Sequence, residues 1–226
     1  MKTKIKKILD SKNKKKLVCL TAYSKQYSKI LDKYCDIILV GDSMANTLYS
    51  MKNTHQVTLE MMINHSISVQ LGVKRALTVV DMPKNSYRKS NEAIKNAKLI
   101  IKKTKCNAVK IESNRKNYLI IKKIVKEGIP VMGHIGFTPQ FKKKFKPEGL
   151  TKSQSNNLLK EAKKIEEAGA FSIVLECISS KTAEIITKKL KIPTIGIGSS
   201  VNCDGQVLVT DDILGLSGFA PKFVKK

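Results

Sequence analysis

The segment ILVGDS, at Ile38–Ser43, is the most direct indication of the fold, because an apolar, β-branched run ends there on a carboxylate and a hydroxyl. The same pattern recurs in LTVVD (Leu77–Asp81), AVKIE (Ala108–Glu112) and SIVLE (Ser172–Glu176). Short, continuous apolar runs are typical of strands buried on both faces of a parallel sheet. The sequence therefore predicts buried parallel strands that end in acidic side chains.

Strand-like segments alternate with segments of helical periodicity along the chain. Strands are predicted at Leu17–Tyr23, Ile37–Ser43, Leu77–Pro83, Ala108–Ser113, Pro130–Gly136, Phe171–Cys177 and Pro193–Ser199, with a candidate eighth near Lys222–Val224. Helices are predicted at Lys25–Tyr34, Leu59–Leu71, Asn91–Lys103, Tyr118–Lys126, Ser153–Ala168 and Thr182–Leu190. This alternation indicates an α/β fold, and the number of repeats favours a closed (β/α)₈ TIM barrel over an open sheet.

Composition and length fit one globular domain, residues 1–226, with 42% hydrophobic and 27% charged residues. No apolar run reaches the roughly 20 residues that a membrane span needs, and the basic N-terminus lacks the long apolar stretch of a secretory signal. The five cysteines are scattered and form no CxxC pair, which is typical of free thiols in a reducing compartment. We therefore expect a cytoplasmic protein without a membrane partner.

The net charge of +25 raises the alternative of a nucleic-acid-binding protein. The lysines, however, are spread along the whole chain, and arginine, the residue that favours bidentate base and phosphate contacts, occurs only at Arg75, Arg88 and Arg115. We expect no nucleic-acid partner. The run KKKFK (Lys142–Lys146) is the one cluster suited to an anionic ligand, and composition drift on an exposed loop is the competing interpretation.

The strand-end carboxylates carry the predicted chemistry. The carboxyl ends of the strands form the active-site face of a (β/α)₈ barrel, so side chains from four strands should converge there. These side chains are Asp42, Asp81, Glu112 and Glu176. Converging anions need a cation, and oxygen ligands without histidine or cysteine spacing indicate Mg²⁺ or a similar ion.

Three further side chains share this predicted location. Lys110 lies two residues before Glu112, so both leave the strand on the same face, where a lysine can bind a substrate carboxylate or stabilise an oxyanion. His134 ends the fifth strand between small neighbours, and Ser43 adds a hydroxyl beside Asp42. Structural alternatives exist for the four acids and for His134: an acid after a strand often caps the next helix, and His134 alone suits a core histidine. His55 and His65 lack a strand-end position, and both are interpreted as structural.

Several longer motifs resemble the ketopantoate hydroxymethyltransferase family, and the match runs almost from end to end. The most specific are GIPVMGHIGFTPQ (Gly128–Gln140), IPTIGIGSS (Ile192–Ser200) and DGQVLV (Asp204–Val209). The resemblance implies transfer of a hydroxymethyl group from 5,10-methylenetetrahydrofolate to 3-methyl-2-oxobutanoate, giving 2-dehydropantoate for pantothenate and coenzyme A synthesis, through a Mg²⁺-stabilised enolate. It also implies the folate as co-substrate, the small 2-oxo acid as substrate and a homo-oligomer.

The resemblance also implies roles for individual residues. The metal ligands correspond to Asp42, Asp81 and Glu112, and the oxo-acid site corresponds to Asp42, Ser43, Asp81 and Lys110. Glu176 corresponds to the proton acceptor, and the catalytic set is Glu176, Lys110 and His134.

The sequence departs from the family pattern in places. Lys84 replaces an aromatic residue, and FKKKFKPEG (141–149) replaces a glycine-rich stretch in a long loop expected over the barrel mouth. The barrel is also expected to be shortened at its C-terminus, with its eighth helix missing.

Two other functions remain as alternatives. One is another relative of the phosphoenolpyruvate mutase and isocitrate lyase group, although the loop after Gln140 lacks the usual cysteine. The other is a basic scaffold protein on a decayed enzyme fold.

Overall fold

Eight parallel strands close into a barrel in this computed structural model, which describes residues 2–114, 116–142, 145–218 and 221–224. Each strand pairs with its sequence neighbours, and β1 pairs with β8 to complete the circle. In order, β1 to β8 are Leu17–Thr21, Ile37–Val40, Leu77–Asp81, Ala108–Glu112, Val131–Gly136, Ser172–Glu176, Thr194–Ile197 and Gly205–Leu208. The TIM-barrel prediction is confirmed.

Helices surround the barrel. In order, α1 to α9 are Lys2–Asp10, Lys25–Leu31, Met44–Thr47, Leu59–Gln70, Ser90–Thr104, Tyr118–Lys126, Lys152–Glu167, Ser180–Lys189 and Thr210–Ile213, with a 3₁₀ turn at Thr54–Gln56. The helices start as their sequences dictate: the hydroxyl of Thr58 accepts from Met61 N at the start of α4, and that of Thr151 accepts from Gln154 N at α7.

Two apolar clusters form the core. The larger lies between strands and helices, where Ile121 and Ile124 of α6 and Ile165 of α7 are fully buried. The smaller fills the barrel interior with side chains such as Leu77 and Ile195. Because both faces of the strands are buried, apolar side chains are required at nearly every strand position until the carboxyl ends, where polar groups begin.

The amino end of the barrel is closed by α1, a helix that the sequence analysis did not predict. Ile8 of α1 joins the interior cluster, and the Lys4 ammonium donates to the Ala76 carbonyl at 2.8 Å. Nearby, Asp204 accepts from the Lys12 ammonium at 2.7 Å and from the Thr194 amide at 2.8 Å. Its carboxylate therefore ties the segment before β1 to β7 and β8, where the barrel closes.

The predicted position of the eighth strand was wrong. No strand lies at 222–224 within the part of the chain that the structure describes, and β8 is Gly205–Leu208, inside the DGQVLV motif. Pairing with β1 along four residues fixes it there. Among the described residues after β8, the eighth helical position holds only the four-residue α9.

Two composition-based expectations can be compared with the structure. All five cysteines are free and buried. Among the described residues, no helix has both the length and the apolar character that crossing a bilayer would require.

Candidate active site

The strand-end side chains meet at the carboxyl end of the barrel, around a cavity of about 740 Å³. The strand register brings Asp81 of β3 beside Lys110 of β4, and Glu112 of β4 beside His134 of β5. The predicted residues on its wall are Asp42, Ser43, Asp81, Lys110, Glu112, His134 and Glu176. The structure therefore brings all seven predicted site residues together.

Lys110 provides the buried positive charge of the cavity floor. Its ammonium lies 3.0 Å from Asp81 Oδ1, and both side chains are almost fully buried. The other oxygen, Asp81 Oδ2, accepts from the Asp42 amide at 3.1 Å, which joins the ends of β2 and β3. Burial opposes a charged lysine, but the carboxylates of Asp81, Glu112 and Asp42 raise the pKa of Lys110, so the ammonium stays charged.

His134 lies between the cation and the acids as a neutral imidazole. Burial, reinforced by the charge of Lys110, lowers the pKa of His134 well below its usual range. Its Nδ1 is 3.4 Å from Lys110 Nζ and accepts from the ammonium, which leaves the ring proton on Nε2. Nε2 lies 3.2 Å from Glu176 Oε2 without satisfying the geometry of a hydrogen bond.

Glu176 is the strand-end acid most open to the cavity. Its side chain keeps 16% of its surface exposed, whereas that of Glu112 keeps 2%. Burial raises the pKa of Glu176 to about 7, against the opposing effect of Lys110. A carboxyl group that titrates near neutral pH beside a cavity is suited to accepting and returning a proton.

The other strand-end carboxylates, those of Asp42, Asp81 and Glu112, concentrate negative charge in the cavity floor. Burial and then the charge of Asp81 raise the pKa of Asp42 to about 7. Burial and then the charge of Asp42 raise the pKa of Glu112 well above its usual range. Lys110 is the only lysine or arginine among the described residues that is buried in this floor. The carboxylates therefore outnumber the fixed cation and would be stabilised by another.

The donor set fits a hard cation such as Mg²⁺, because it consists of carboxylate oxygens of Asp42, Asp81 and Glu112. Within the described ranges, no three histidine, cysteine or acidic side chains form a ready-made metal cage. Mg²⁺ does not require one, since it commonly binds one or two carboxylates and fills its remaining positions with water or substrate oxygens.

Gln140 is a site residue that the sequence analysis did not single out. Its side-chain amide donates to Asp42 Oδ2 at 2.8 Å and to the Met82 carbonyl at 3.0 Å, and its backbone amide donates to Glu112 Oε2 at 3.0 Å. The Tyr87 hydroxyl donates to the amide oxygen of Gln140 and fixes its orientation. One loop residue therefore contacts two of the predicted metal ligands.

The rim of the cavity also differs from expectation. His55 was interpreted as structural, but it lines the cavity, and the Lys84 ammonium lies 3.0 Å from its Nε2. His65 does have a structural environment, because its ring nitrogens contact the Tyr23 carbonyl and the Tyr49 hydroxyl. Of the KKKFK run, Lys142 lines the cavity, and positions 143 and 144 lie outside the described residues.

Ser43 lies next to Asp42 with its hydroxyl 2.8 Å from the Tyr23 hydroxyl. Tyr23 is buried, and this burial raises its pKa to about 12, so the phenol stays protonated and can donate to Ser43. The Ser43 hydroxyl is thereby held on the cavity wall with its own proton available to a ligand.

A closed barrel with a buried acid–base cluster at the carboxyl ends of its strands has the architecture of a (β/α)₈ enzyme. Comparison with solved structures agrees about the fold. Phosphonopyruvate hydrolase, in a complex with oxalate and Mg²⁺, superposes with a TM-score of 0.71 at 10% identity over 95% of this chain and 83% of that one. The 2,3-dimethylmalate lyase of the PEP mutase/isocitrate lyase superfamily superposes with a TM-score of 0.70 at 12% identity, over 94% of this chain and 81% of that one.

Sequence comparison identifies the family. The ketopantoate hydroxymethyltransferase family profile matches residues 2–226. The 3-methyl-2-oxobutanoate hydroxymethyltransferase of Pelagibacter ubique (strain HTCC1062) is 54% identical, over 100% of this chain and 88% of its own length. The 3-methyl-2-oxobutanoate hydroxymethyltransferase of Anaplasma marginale (strain St. Maries) is 48% identical, over 97% of this chain and 81% of its own length. The chain belongs to the ketopantoate hydroxymethyltransferase family, and it is an enzyme of that family.

Replacing Gln140 by alanine should destabilise the protein by about 1–3 kcal/mol, because Asp42 Oδ2 and the Tyr87 hydroxyl would lose a buried partner. The free energy of unfolding in urea measures the effect. Gln26→Ala, on the exposed side of α2, is the matched control and should change it by less than about 0.5 kcal/mol. Equal stability of the two variants would contradict the bracing role of Gln140.

Proposed function

We propose that this enzyme transfers a hydroxymethyl group from 5,10-methylenetetrahydrofolate to 3-methyl-2-oxobutanoate, giving 2-dehydropantoate for pantothenate and coenzyme A synthesis. Family membership supports the reaction. The observation that carries the mechanism is the placement of Glu176, with a pKa of about 7, on the cavity wall beside a neutral imidazole and a buried ammonium.

Proton transfer is assigned to Glu176. The C3–H of the oxo acid is adjacent to a keto group, so its removal leaves an enolate whose charge is delocalised onto oxygen. Glu176 accepts this proton in its ionised form, and its raised pKa makes it a stronger base than an exposed glutamate. The neutral His134 has its Nε2 3.2 Å from Glu176 Oε2, so a small rotation of either side chain would let Nε2 donate its proton to the carboxylate.

Substrate binding is assigned to the floor beside Glu176. The Lys110 ammonium attracts the carboxylate and the developing enolate oxygen of the oxo acid, and burial strengthens this attraction. Ser43 offers a hydroxyl at the other side of the same cavity. Asp42 and Asp81, which repel an anion by themselves, belong to this site as metal ligands.

A metal completes the proposed site. Asp42, Asp81 and Glu112 would hold Mg²⁺, with the oxo acid and water filling its remaining positions. When bound, Mg²⁺ supplies a Lewis acid that polarises the keto group and increases the acidity of the C3–H. The raised pKa values of Asp42 and Glu112 support a cation at this position, because each carboxylate is disfavoured as an anion without one.

Carbon–carbon bond formation needs the one-carbon unit of the folate next to the enolate. The cavity is larger than a five-carbon oxo acid requires and lies within the range of pockets that hold a larger ligand as well. The apolar side chains of Val174, Ile197 and Phe137 on its wall limit water near the carbanion. In the overall reaction, the two C–N bonds of the methylene bridge break as its carbon bonds to C3 of the oxo acid and to the oxygen of water. Water supplies the hydroxyl group of the product, and tetrahydrofolate leaves with its two nitrogens protonated by the proton from C3 and the remaining proton of water.

The same proposal includes a cytoplasmic homo-oligomer. Ile30, Tyr34 and Leu71 are exposed by 62%, 69% and 70% on or next to two helices, α2 and α4, that pack together. Apolar side chains at this exposure support self-association. A single monomeric species in sedimentation velocity at micromolar concentration would contradict it.

The variant Glu176→Gln tests the reaction and the base together. Formation of 2-dehydropantoate from both substrates with Mg²⁺ should be detectable in the wild type and fall by about 10²–10⁴-fold in the variant. Glu184→Gln, a matched control at a partly exposed glutamate on α8 outside the cavity, should retain full activity.

The pH profile gives a second measurement of the same group. Because only ionised Glu176 accepts a proton, kcat of the wild type should rise as pH increases through about 7. Near-normal turnover of Glu176→Gln would remove this residue from the base role, and a wild type without product would reject the proposed reaction.

The variant Asp42→Asn tests the metal site by stability in place of activity. The pKa of Asp42 is raised from 3.8 to about 7, so folding binds a proton between these values and the folded state is disfavoured as pH rises through them. Without metal at pH 8, the variant should therefore be more stable than the wild type, by on the order of 4 kcal/mol. This advantage should disappear as the pH falls towards 4.

Addition of Mg²⁺ should make the wild type more stable than Asp42→Asn, which is the reverse of the order expected without metal. The wild type should gain melting temperature with increasing Mg²⁺, because the ion binds the folded state, while Asp42→Asn should lose most of this gain. Asp10→Asn, in the exposed part of α1, is the matched control and should behave as the wild type in EDTA and in Mg²⁺. A wild type whose melting temperature is insensitive to Mg²⁺ would reject the metal site.

A further inference from the structure

A second cavity, of about 770 Å³, lies beside the first, between the loop that follows β5 and the helix α7. The two cavities share one residue on their walls, Lys142. The Lys142 ammonium donates to the Gly136 carbonyl at 2.7 Å and pairs with Glu148, which fixes its stem between the two spaces. The two cavities therefore meet at Lys142.

The second cavity is positively charged along α7. Lys160 and Lys164 lie one helical turn apart and face it together, and Lys146 adds a third ammonium from the loop. The acid on the same helix face, Glu161, accepts from the Ser113 hydroxyl at 2.5 Å. Since Glu148 is matched by Lys142, the described residues of this wall carry an excess of positive charge.

We propose that this second cavity binds the anionic oligoglutamyl tail of the folate co-substrate. The inference rests on the proposed function, because it requires a folate in the first cavity. It adds a binding site to that function, with Lys146, Lys160 and Lys164 as the residues that recognise the tail carboxylates.

The position of the cavity supports this ligand. The methylene group must approach the floor near Glu176, so the pteridine end lies deep in the first cavity and the glutamyl end lies towards its rim. Lys142 is on that rim. Each further γ-linked glutamate adds one carboxylate, and these carboxylates would run past Lys142 along the lysines of α7. The apolar side chains of Phe141 and Leu158 can contact the methylene groups of the chain.

The described cations of this wall are all lysines, whose ammonium groups attract anions as separate point charges. Lysines that are separately exposed suit an extended chain with one carboxylate per residue. Each such pair contributes little, typically 0.2–1 kcal/mol, so several in a row are needed for a measurable preference.

The test compares 5,10-methylenetetrahydrofolate as the monoglutamate and as the γ-linked triglutamate in steady-state assays of the whole enzyme. In the wild type, KM for the triglutamate should be lower than for the monoglutamate. The double variant Lys160→Gln/Lys164→Gln should raise the ratio of KM for the triglutamate to KM for the monoglutamate by about 2–30-fold, because two exposed ion pairs with the tail are lost. Added salt should reduce the wild-type preference in the same direction.

Lys163→Gln is the matched control, because Lys163 is exposed on the same helix and belongs to neither of the two walls. It should keep the wild-type KM ratio. Equal KM values for the two folates in an active wild type, or a double variant that keeps the wild-type ratio, would overturn this inference alone. Absence of turnover with either folate would overturn the proposed function and the inference with it.

Discussion

The confinement of negative charge at the carboxyl end of the barrel is the constraint on which the site depends. Asp42, Asp81, Glu112 and Glu176 share a cavity with one buried ammonium, that of Lys110. In water these charges would be screened, but here burial, and after it the repulsion between the carboxylates, raises the pKa values of Asp42 and Glu112. The folded chain tolerates them because Lys110 is permanently charged and because backbone and side-chain amides donate to their oxygens.

The loop after β5 connects this floor to the rest of the surface. At its start, Gln140 donates to Asp42 and Glu112, and two residues later Lys142 reaches the rim of both cavities. A change in the position of this loop would therefore alter the predicted metal ligands and the proposed outer binding surface together. Since Gln140 is itself oriented by Tyr87, the segment after β3 takes part in the same arrangement.

The sequence predicted the barrel, seven of its strands and the membership of the site, because these depend on local patterns: apolar runs, helical periodicity and a carboxylate at the end of a strand. It did not predict β8, since Gly205–Leu208 is short, exposes Gln206 and is defined by pairing with β1. The same limit applies to Gln140 and His55. Both reach the site from loops, whose course is set by tertiary contacts such as that between His55 and Lys84.

The seam between β1 and β8 has a consequence for synthesis on the ribosome. Leu17 pairs with Gly205, so the first strand emerges long before its last partner exists. Until then one edge of β1 keeps its backbone donors and acceptors open, and the apolar barrel interior is incomplete. The barrel can therefore close only after the last strand has left the ribosome, and until then the open edge of β1 can pair with other chains.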